Sequence, residues 1–315
     1  MTDSDFQSIR VTTLRGDIKI PFDVYVRIAG KYIHYCRAGE SFEGKRLDKL
    51  RAKKLKMVFI KPDDSIPYEQ YLEQSIDSAY DTKSTKTLEV RAEVIQGFQQ
   101  AATEEYMENP TSESAYNHVR SSVQRFVEFL TKKPLAALPI LKMANIDASI
   151  THHSLNVATL TMLMAANSQF KDSSKLHLLG LGCMLHDIDH FTSGTDITRP
   201  LSTLSRDELA LYREHPTRGA NRMQGVTFID QIVTNVITQH EECSDGTGYP
   251  KGLIDKQIEP VVLLAATANA YDRLVSFQKM PPREALKTLM IEKLGQLPLN
   301  HLQNLNGILK NLDLL

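Results

Sequence analysis

Hydrophobic positions in the first quarter of the chain alternate along the backbone instead of recurring every three to four residues. Residues 9–14 and 22–28 are rich in β-branched and aromatic side chains, and residues 32–35 continue the pattern after Ala29-Gly30, a turn-forming dipeptide. Residues 45–55 read as a helix and residues 56–60 (KMVFI) as a buried strand. Lys61-Pro62-Asp63-Asp64-Ser65 then closes the region with turn chemistry. These signals predict a small α+β or β-rich domain over residues 1–75.

From about residue 84 the period lengthens to that of a helix. Val90, Val94, Ile95 and Phe98 mark one helix over 88–108, broken by Asn109-Pro110-Thr111. Ser112-Glu113-Ser114 starts the next, which carries Val119, Val123, Phe126, Val127 and Leu130. After Pro134 the chain reads as almost wholly helical, with breaks at 167–174, 190–205, 242–256 and 279–282. We therefore expect a helical connector over 76–111 and an all-α domain over 112–315. No internal repeat or low-complexity tract interrupts this order.

Composition narrows the class. Of 315 residues, 42% are apolar, enough for a buried core, and the net charge of −1 excludes a chain that binds polyanions over its whole surface. Cys36, Cys183 and Cys243 are few, odd in number and widely spaced, as in a reduced protein. The start, MTDSDFQSIR, lacks a basic-then-apolar leader, and no apolar run approaches the roughly 18 residues of a membrane span. The expectation is a soluble cytoplasmic protein with no membrane partner. Lys45, Arg46, Lys49, Arg51, Lys53, Lys54, Lys56 and Lys61 form a basic run, but Asp48, Asp63 and Asp64 dilute it. It reads as a solvated helix face, so nucleic-acid binding is not expected. The N-terminal domain is expected to regulate, by docking on the helical domain or on a signalling partner, and the connector helices offer a surface for a homodimer.

Histidine is concentrated. Six of the ten lie between His152 and His215, and His240 follows. A single helical histidine is usually an ordinary core or surface residue. The adjacent pair His186-Asp187 says more, because it ends an apolar helix where an unpaired carboxylate would be expensive to bury. A metal ion would neutralise Asp187 and use His186 at once. His215-Pro216 sits at a helix start, with His215 expected at the N-cap. His240 closes a helix and is followed by Asp245-Gly246-Thr247-Gly248-Tyr249-Pro250, a tight loop facing the same region. Imidazole and carboxylate ligands drawn from several helices suit Fe, Mn, Ni or Zn rather than Ca.

Five segments carry a resemblance. HSLNVA (153–158), LHDID (185–189), EHPTRGA (214–220), QHEECSDGTGYPKGL (239–253) and ANAYDRLVS (268–276) resemble, in order and spacing, the HD-GYP signatures HSxxVA, HDIGK, HPxxG, HHExxDGxGYPxGL and DxxDAL. The likeness covers residues 145–280. It implies a mostly α protein, with a C-terminal all-α HD-type helical bundle behind the small α+β domain. It also implies a hydrolase of cyclic di-GMP, or a related nucleotide, that works through a metal-activated hydroxide at two divalent ions, Fe or Mn, with Ni or Zn also compatible. On this carry-over His153, His186 and Asp187 serve one ion, Asp187 bridges, and His215 and His240 serve the other. Gln239 and Asn269 occupy further ligand positions. Asp187 and His190 are the catalytic candidates. Gly248, Tyr249, Lys279 and Arg273 are the substrate-binding ones.

The departures fall on working positions. The lysine of HDIGK is His190, a partly charged donor at best. We place the paired histidines of HHE at Gln239-His240, which turns one ligand into an amide. The first aspartate of DxxDAL is Asn269, while Asp272 is kept. Ser149 stands where some members have a glutamate, which argues against a third ion. The basic stretch that follows is shortened to residues 275–279. Asp189 and Asp147 are the carboxylates available as replacements. Two functions fit this balance. One is a metal-dependent phosphodiesterase, slowed by the lost groups. The other is a catalytically degenerate module that binds a nucleotide or partner proteins in signalling.

Overall fold

The structure is a computed structural model, and it describes residues 5–42, 45–53, 55–143, 148–168 and 173–315. Asp147 and Lys54, both named above, lie outside the described residues. So do 169–172 of the break expected at 167–174 and the side chains of Lys45, Asp48 and Arg51. The chain divides into two compact units, Met1–Ala101 and Ala102–Leu315.

The first unit holds a four-stranded antiparallel sheet, β1 (Gln7–Arg10), β2 (Val24–Ile28), β3 (Lys31–Cys36) and β4 (Met57–Ile60), in the order β1-β4-β2-β3. The β2–β3 hairpin turns on Ala29 and Gly30, both at positive φ (49° and 77°). That is the backbone a two-residue hairpin of right-twisted strands needs. Val24, Val26, Val58 and Ile60 point into a core with Ile9, Ile20 and Phe22. Helix α1 (Lys45–Ala52) adds Leu47 and Leu50 to it. Helix α2 (Ser65–Tyr80) was not anticipated from the sequence, where Pro67 and the turn before it obscure the pattern. Proline is tolerated in a first turn, and beyond it Tyr68, Tyr71, Ile76 and Ala79 are buried at helical spacing. Their phenols are satisfied: Tyr68 Oη pairs with Thr13 Oγ1 at 2.9 Å, and Tyr71 Oη accepts the Arg15 NH at 2.7 Å. Helix α3 (Leu88–Glu108) spans the boundary between the units.

Among the described residues of the second unit the regular structure is helical, with only isolated β-bridges besides. Helix α4 (Glu113–Lys132) starts at Ser112, whose side chain accepts the Ala115 NH, and buries the apolar stripe read from the sequence. Next come α5 (Ala137–Lys142), α6 (Ile150–Ala166), α7 (Ser173–Leu185), α8 (Arg206–Arg213) and α9 (His215–Asn221). The chain ends with α10 (Gln231–Gln239), α11 (Val262–Ser276), α12 (Pro282–Glu292) and α13 (Leu299–Asn311). Helix α6 is buried on nearly every side and is flanked by α4, α7, α11 and α13. Helix α7 packs against α4, α6 and α10. Two glycines let it approach so closely. A Cβ on Gly180 would meet Val127 Cγ2 at 3.0 Å, and one on Gly182 would meet Val236 Cβ at 2.7 Å. The second contact sets the distance between the ends of α7 and α10. No described helix is long and apolar enough to cross a membrane.

Gly182→Ala should therefore cost about 1–3 kcal/mol of stability, the usual penalty of overpacking a core. Thermal denaturation followed by circular dichroism should register it as a melting point lowered by several degrees. An unchanged melting point would mean that α7 and α10 are free to separate.

Candidate metal centre

Five helices deliver the centre. Helix α6 carries His153, and the residues just past α7 are His186 and Asp187. Helix α9 opens with His215, His240 caps α10, and α11 carries Asn269 and Asp272. His215 is the first residue of α9 and Glu214 its N-cap, one position earlier than expected, so Pro216 sits second in the first turn.

The Asp187 carboxylate divides its oxygens between two pairs of histidines. Oδ2 lies 3.4 Å from His186 Nε2 and 3.7 Å from His153 Nε2. Oδ1 lies 3.4 Å from His215 Nε2 and 3.5 Å from His240 Nε2. The side chains thus form two buried triads, His153–His186–Asp187 and Asp187–His215–His240, each compact enough to hold an ion.

Hydrogen bonds on the far nitrogens decide which atoms face inward. His186 Nδ1 donates to the Cys183 carbonyl (2.7 Å), His215 Nδ1 to Tyr212 (2.8 Å) and His240 Nδ1 to Ile237 (3.0 Å). In each case the acceptor is three residues back in the same chain segment. His153 Nδ1 bonds instead to Asp272 Oδ2 at 2.7 Å, and Asn156 Nδ2 holds the other oxygen of that carboxylate at 3.0 Å. All four Nε2 atoms are left as the inward-facing ligand atoms, an arrangement common to metal-bound histidine. His186 Nε2 has no hydrogen-bond partner among the described residues, and His215 Nε2 faces His240 Nε2 at 2.9 Å. Two facing ring nitrogens, an orphaned nitrogen and a carboxylate with both oxygens inward form a donor set that suits cations. The residues present fit divalent metal, with either triad able to hold an ion.

Charge follows geometry. Burial alone would raise the Asp187 carboxyl, but His186 and the neighbouring imidazoles override it and hold it well below the usual range. Burial pushes His215 well down, with His190 adding to the effect. His240 is also opposed by burial, yet its contact with Asp187 raises it above the ordinary value. Burial brings His190 down to about 4. It is therefore a neutral imidazole near pH 7, not the partly charged donor allowed for above. Its ring stacks on Tyr212 (5.1 Å between centroids) and lies 4.3 Å from His215, and neither ring nitrogen has a hydrogen-bond partner among the described residues.

The other candidates divide. Asn269 joins the cluster, with Oδ1 3.0 Å from His153 Nε2. Gln239 is engaged elsewhere, its amide oxygen accepting the Glu259 NH at 3.1 Å. Counting back along HHExxDG from Asp245 gives His240, Glu241 and Glu242, one residue later than the assignment made from the sequence. The structure agrees with that register. Glu242 is buried and accepts the Lys251 NH (2.8 Å) and the Leu253 NH (2.9 Å), which pins the loop. A Cβ on Gly248 would stand 2.3 Å from the Cys243 nitrogen, so only glycine fits there. Tyr249 lies edge-on to His215, 6.1 Å between centroids, with the Arg213 guanidinium over its ring at 5.6 Å. Arg273 bonds to Tyr212 Oη and lies 3.5 Å from Glu241 Oε1. Lys279 donates to the Ser276 carbonyl at 2.6 Å, at the end of α11. Asp189 is taken by Arg218 in a two-pronged pair (2.7 Å at its shortest), and Ser149 bonds to Thr151. Glu241, Glu242, Tyr212 and Arg213 were not singled out from the sequence. The loop register signals the first two, while the others become visible only in three dimensions.

A helical bundle with histidines and one shared aspartate at its heart is the hallmark of an HD-type domain, and a family model described as HD domain matches residues 142–295. Bd1817, a HDG"Y"P protein from Bdellovibrio bacteriovorus, superposes with a TM-score of 0.90 at 43% identity, over 97% of this chain and 100% of that one. The cyclic di-GMP phosphodiesterase PA4108 of Pseudomonas aeruginosa is 28% identical over 50% of this chain and 38% of its own length. A cyclic di-GMP phosphodiesterase of Vibrio cholerae is 27% identical over 51% of this chain and 35% of its own. The chain thus spans little more than a third of those curated relatives. It belongs to the HD-GYP family.

The His190 shift has a measurable sign. The folded protein keeps this imidazole neutral down to about pH 4, while the unfolded chain takes up its proton near 6.5. Between these values the unfolded state binds more protons, so stability falls as pH drops from 6.5 towards 4, by about 3 kcal/mol in all. Denaturant unfolding of metal-free protein should show this fall, and His190→Asn should make it shallower, leaving the part that His215 contributes with the same sign. An identical pH slope in the variant would remove His190 as its source.

Proposed function

We propose that this chain is a metal-dependent phosphodiesterase that hydrolyses cyclic di-GMP to the linear dinucleotide or to GMP. The observation that carries the reading is the shared carboxylate, with one oxygen of Asp187 serving each histidine pair. Divalent ions there would supply an acidified water near neutral pH and would offset charge on phosphate oxygens. Iron and manganese suit the nitrogen and oxygen donors. Relatives named for cyclic di-GMP hydrolysis support the substrate class.

The chain's own residues supply the rest. A cavity of about 340 Å³ opens beside His240 and the Gly-Tyr-Pro loop, lined by Arg213, Glu241, Tyr249 and Lys293 among others. Arg213 and Lys293 give it positive charge for a phosphate, with Arg273 close by on Glu241. Tyr249 walls the cavity, and Gly248 lets the loop lie against Cys243 and Glu242. His190, neutral and adjacent to His215, cannot replace the fixed charge of a lysine. That missing charge favours a second reading, a module that binds the nucleotide without cleaving it. The first unit is assigned a regulatory role in either case.

Purified protein loaded with Mn²⁺ or Fe²⁺ should convert cyclic di-GMP to a linear product resolved by chromatography. Asp187→Ala should lose both bound metal and turnover. Bound metal with no turnover in the parent chain would leave the binding role, and unchanged turnover in the variant would refute the mechanism.

A further inference from the structure

Asn269 presents its amide to two acceptors. Its Nδ2 donates to Glu241 Oε1 at 3.2 Å, and its Oδ1 lies 3.0 Å from His153 Nε2. His153 Nδ1 is engaged by Asp272, so Nε2 is the ring atom left to face a metal ion. An ion on Nε2 would leave that nitrogen nothing to give the amide, so His153 does not fix which way Asn269 turns. Rotating the amide by half a turn would set Oδ1 against the Glu241 carboxylate, which can only accept. A charged acceptor holds an N–H more strongly than a neutral one, so Glu241 decides the orientation.

We propose that Glu241 is a positioning residue that turns Asn269 into a metal ligand, keeping its oxygen beside His153 Nε2 and Asp187. The inference rests on the metal-site reading, not on catalysis. Glu241 also supplies, one bond removed, the negative charge that an asparagine lacks. It is held in turn by Arg273 Nη1 at 3.5 Å. Glu241 follows His240 directly, so the end of α10 aims a ligand of one triad and the carboxylate that orients a ligand of the other. Occupancy of the His153 side thus depends on a residue from the opposite side of the centre.

The test separates orientation from charge and from folding. Glu241→Ala should bind Mn²⁺ about 10- to 100-fold more weakly at one of two sites, the usual effect of losing a group that orients a ligand. Metal content after equilibrium dialysis, by mass spectrometry, reads this without any assay of activity. Both outer atoms of an aspartate are oxygens and need no orienting. Adding Asn269→Asp to Glu241→Ala should therefore restore parental binding. Glu241→Gln keeps the shape without the charge, and serves if the alanine variant does not fold. It should bind at an intermediate level and be rescued in the same way. Parental metal binding in Glu241→Ala would overturn the inference. So would a double variant as weak as the single one, since Glu241 would then act by something other than orienting Asn269. A parent chain that binds no metal sinks the metal reading itself. A parent that binds metal without turnover leaves this inference standing and removes only the phosphodiesterase.

Discussion

Asp187 is a carboxylate buried among four imidazoles, and a charge in that position imposes requirements on everything around it. Left unpaired in a helix bundle it would cost several kcal/mol. Its oxygens are instead split between His153 and His186 on one side and His215 and His240 on the other. Four separate helical segments must therefore meet within a few ångströms. The close approaches of the bundle serve that meeting. Gly182 brings α7 against Val236 of α10, and Gly219 of α9 lies against Ile188, just beyond Asp187. Asp272 and Asn156 fix His153 from behind.

A second level of order lies in the loop after α10. Glu242 gathers the Lys251 and Leu253 amides around a buried carboxylate, while Glu241, its neighbour, turns towards Asn269 and Arg273. Two adjacent glutamates thus do opposite work: one shapes the wall of the cavity and the other reaches into the centre. Residues that depart from the family pattern are tied to one another here. The amide at position 269 and the guanidinium at position 273 both meet the carboxylate at position 241.

Much of this was legible in the sequence, and the parts that were not have physical reasons. His186 and Asp187 stood out because a histidine next to an aspartate at the end of an apolar helix buries a charge that a cation would offset, and the family resemblance added His153, His215 and His240. The sheet, the hairpin at Ala29-Gly30 and the helical bundle followed from period and turn chemistry. Helix α2 was missed because Pro67 looks like a break and is in fact part of a first turn. The role given to Gln239 failed at the level of one residue. On a helix end, a shift by one rotates a side chain by about 100°, which is the difference between the Glu259 backbone and the centre. Tyr212 and Arg213 could not be read because their contacts, to His190, Arg273 and Tyr249, depend on how distant segments come together. The neutrality of His190 is likewise a property of its surroundings.

Three of the histidines share one device: the ring donates to the carbonyl three positions before it, which for His215 is the end of the preceding helix. Each ring thereby has a hydrogen-bond partner within its own stretch of four residues. A ligand of that kind is self-contained. It travels with its turn through insertions, exchanged surface loops and fused neighbours, and needs only to be carried to the right place. His153 is the exception, since its ring is set by a carboxylate 119 positions away. The centre thus combines three interchangeable parts with one that ties distant stretches of chain together. The asparagine at position 269 lies on the side of the latter, beside His153.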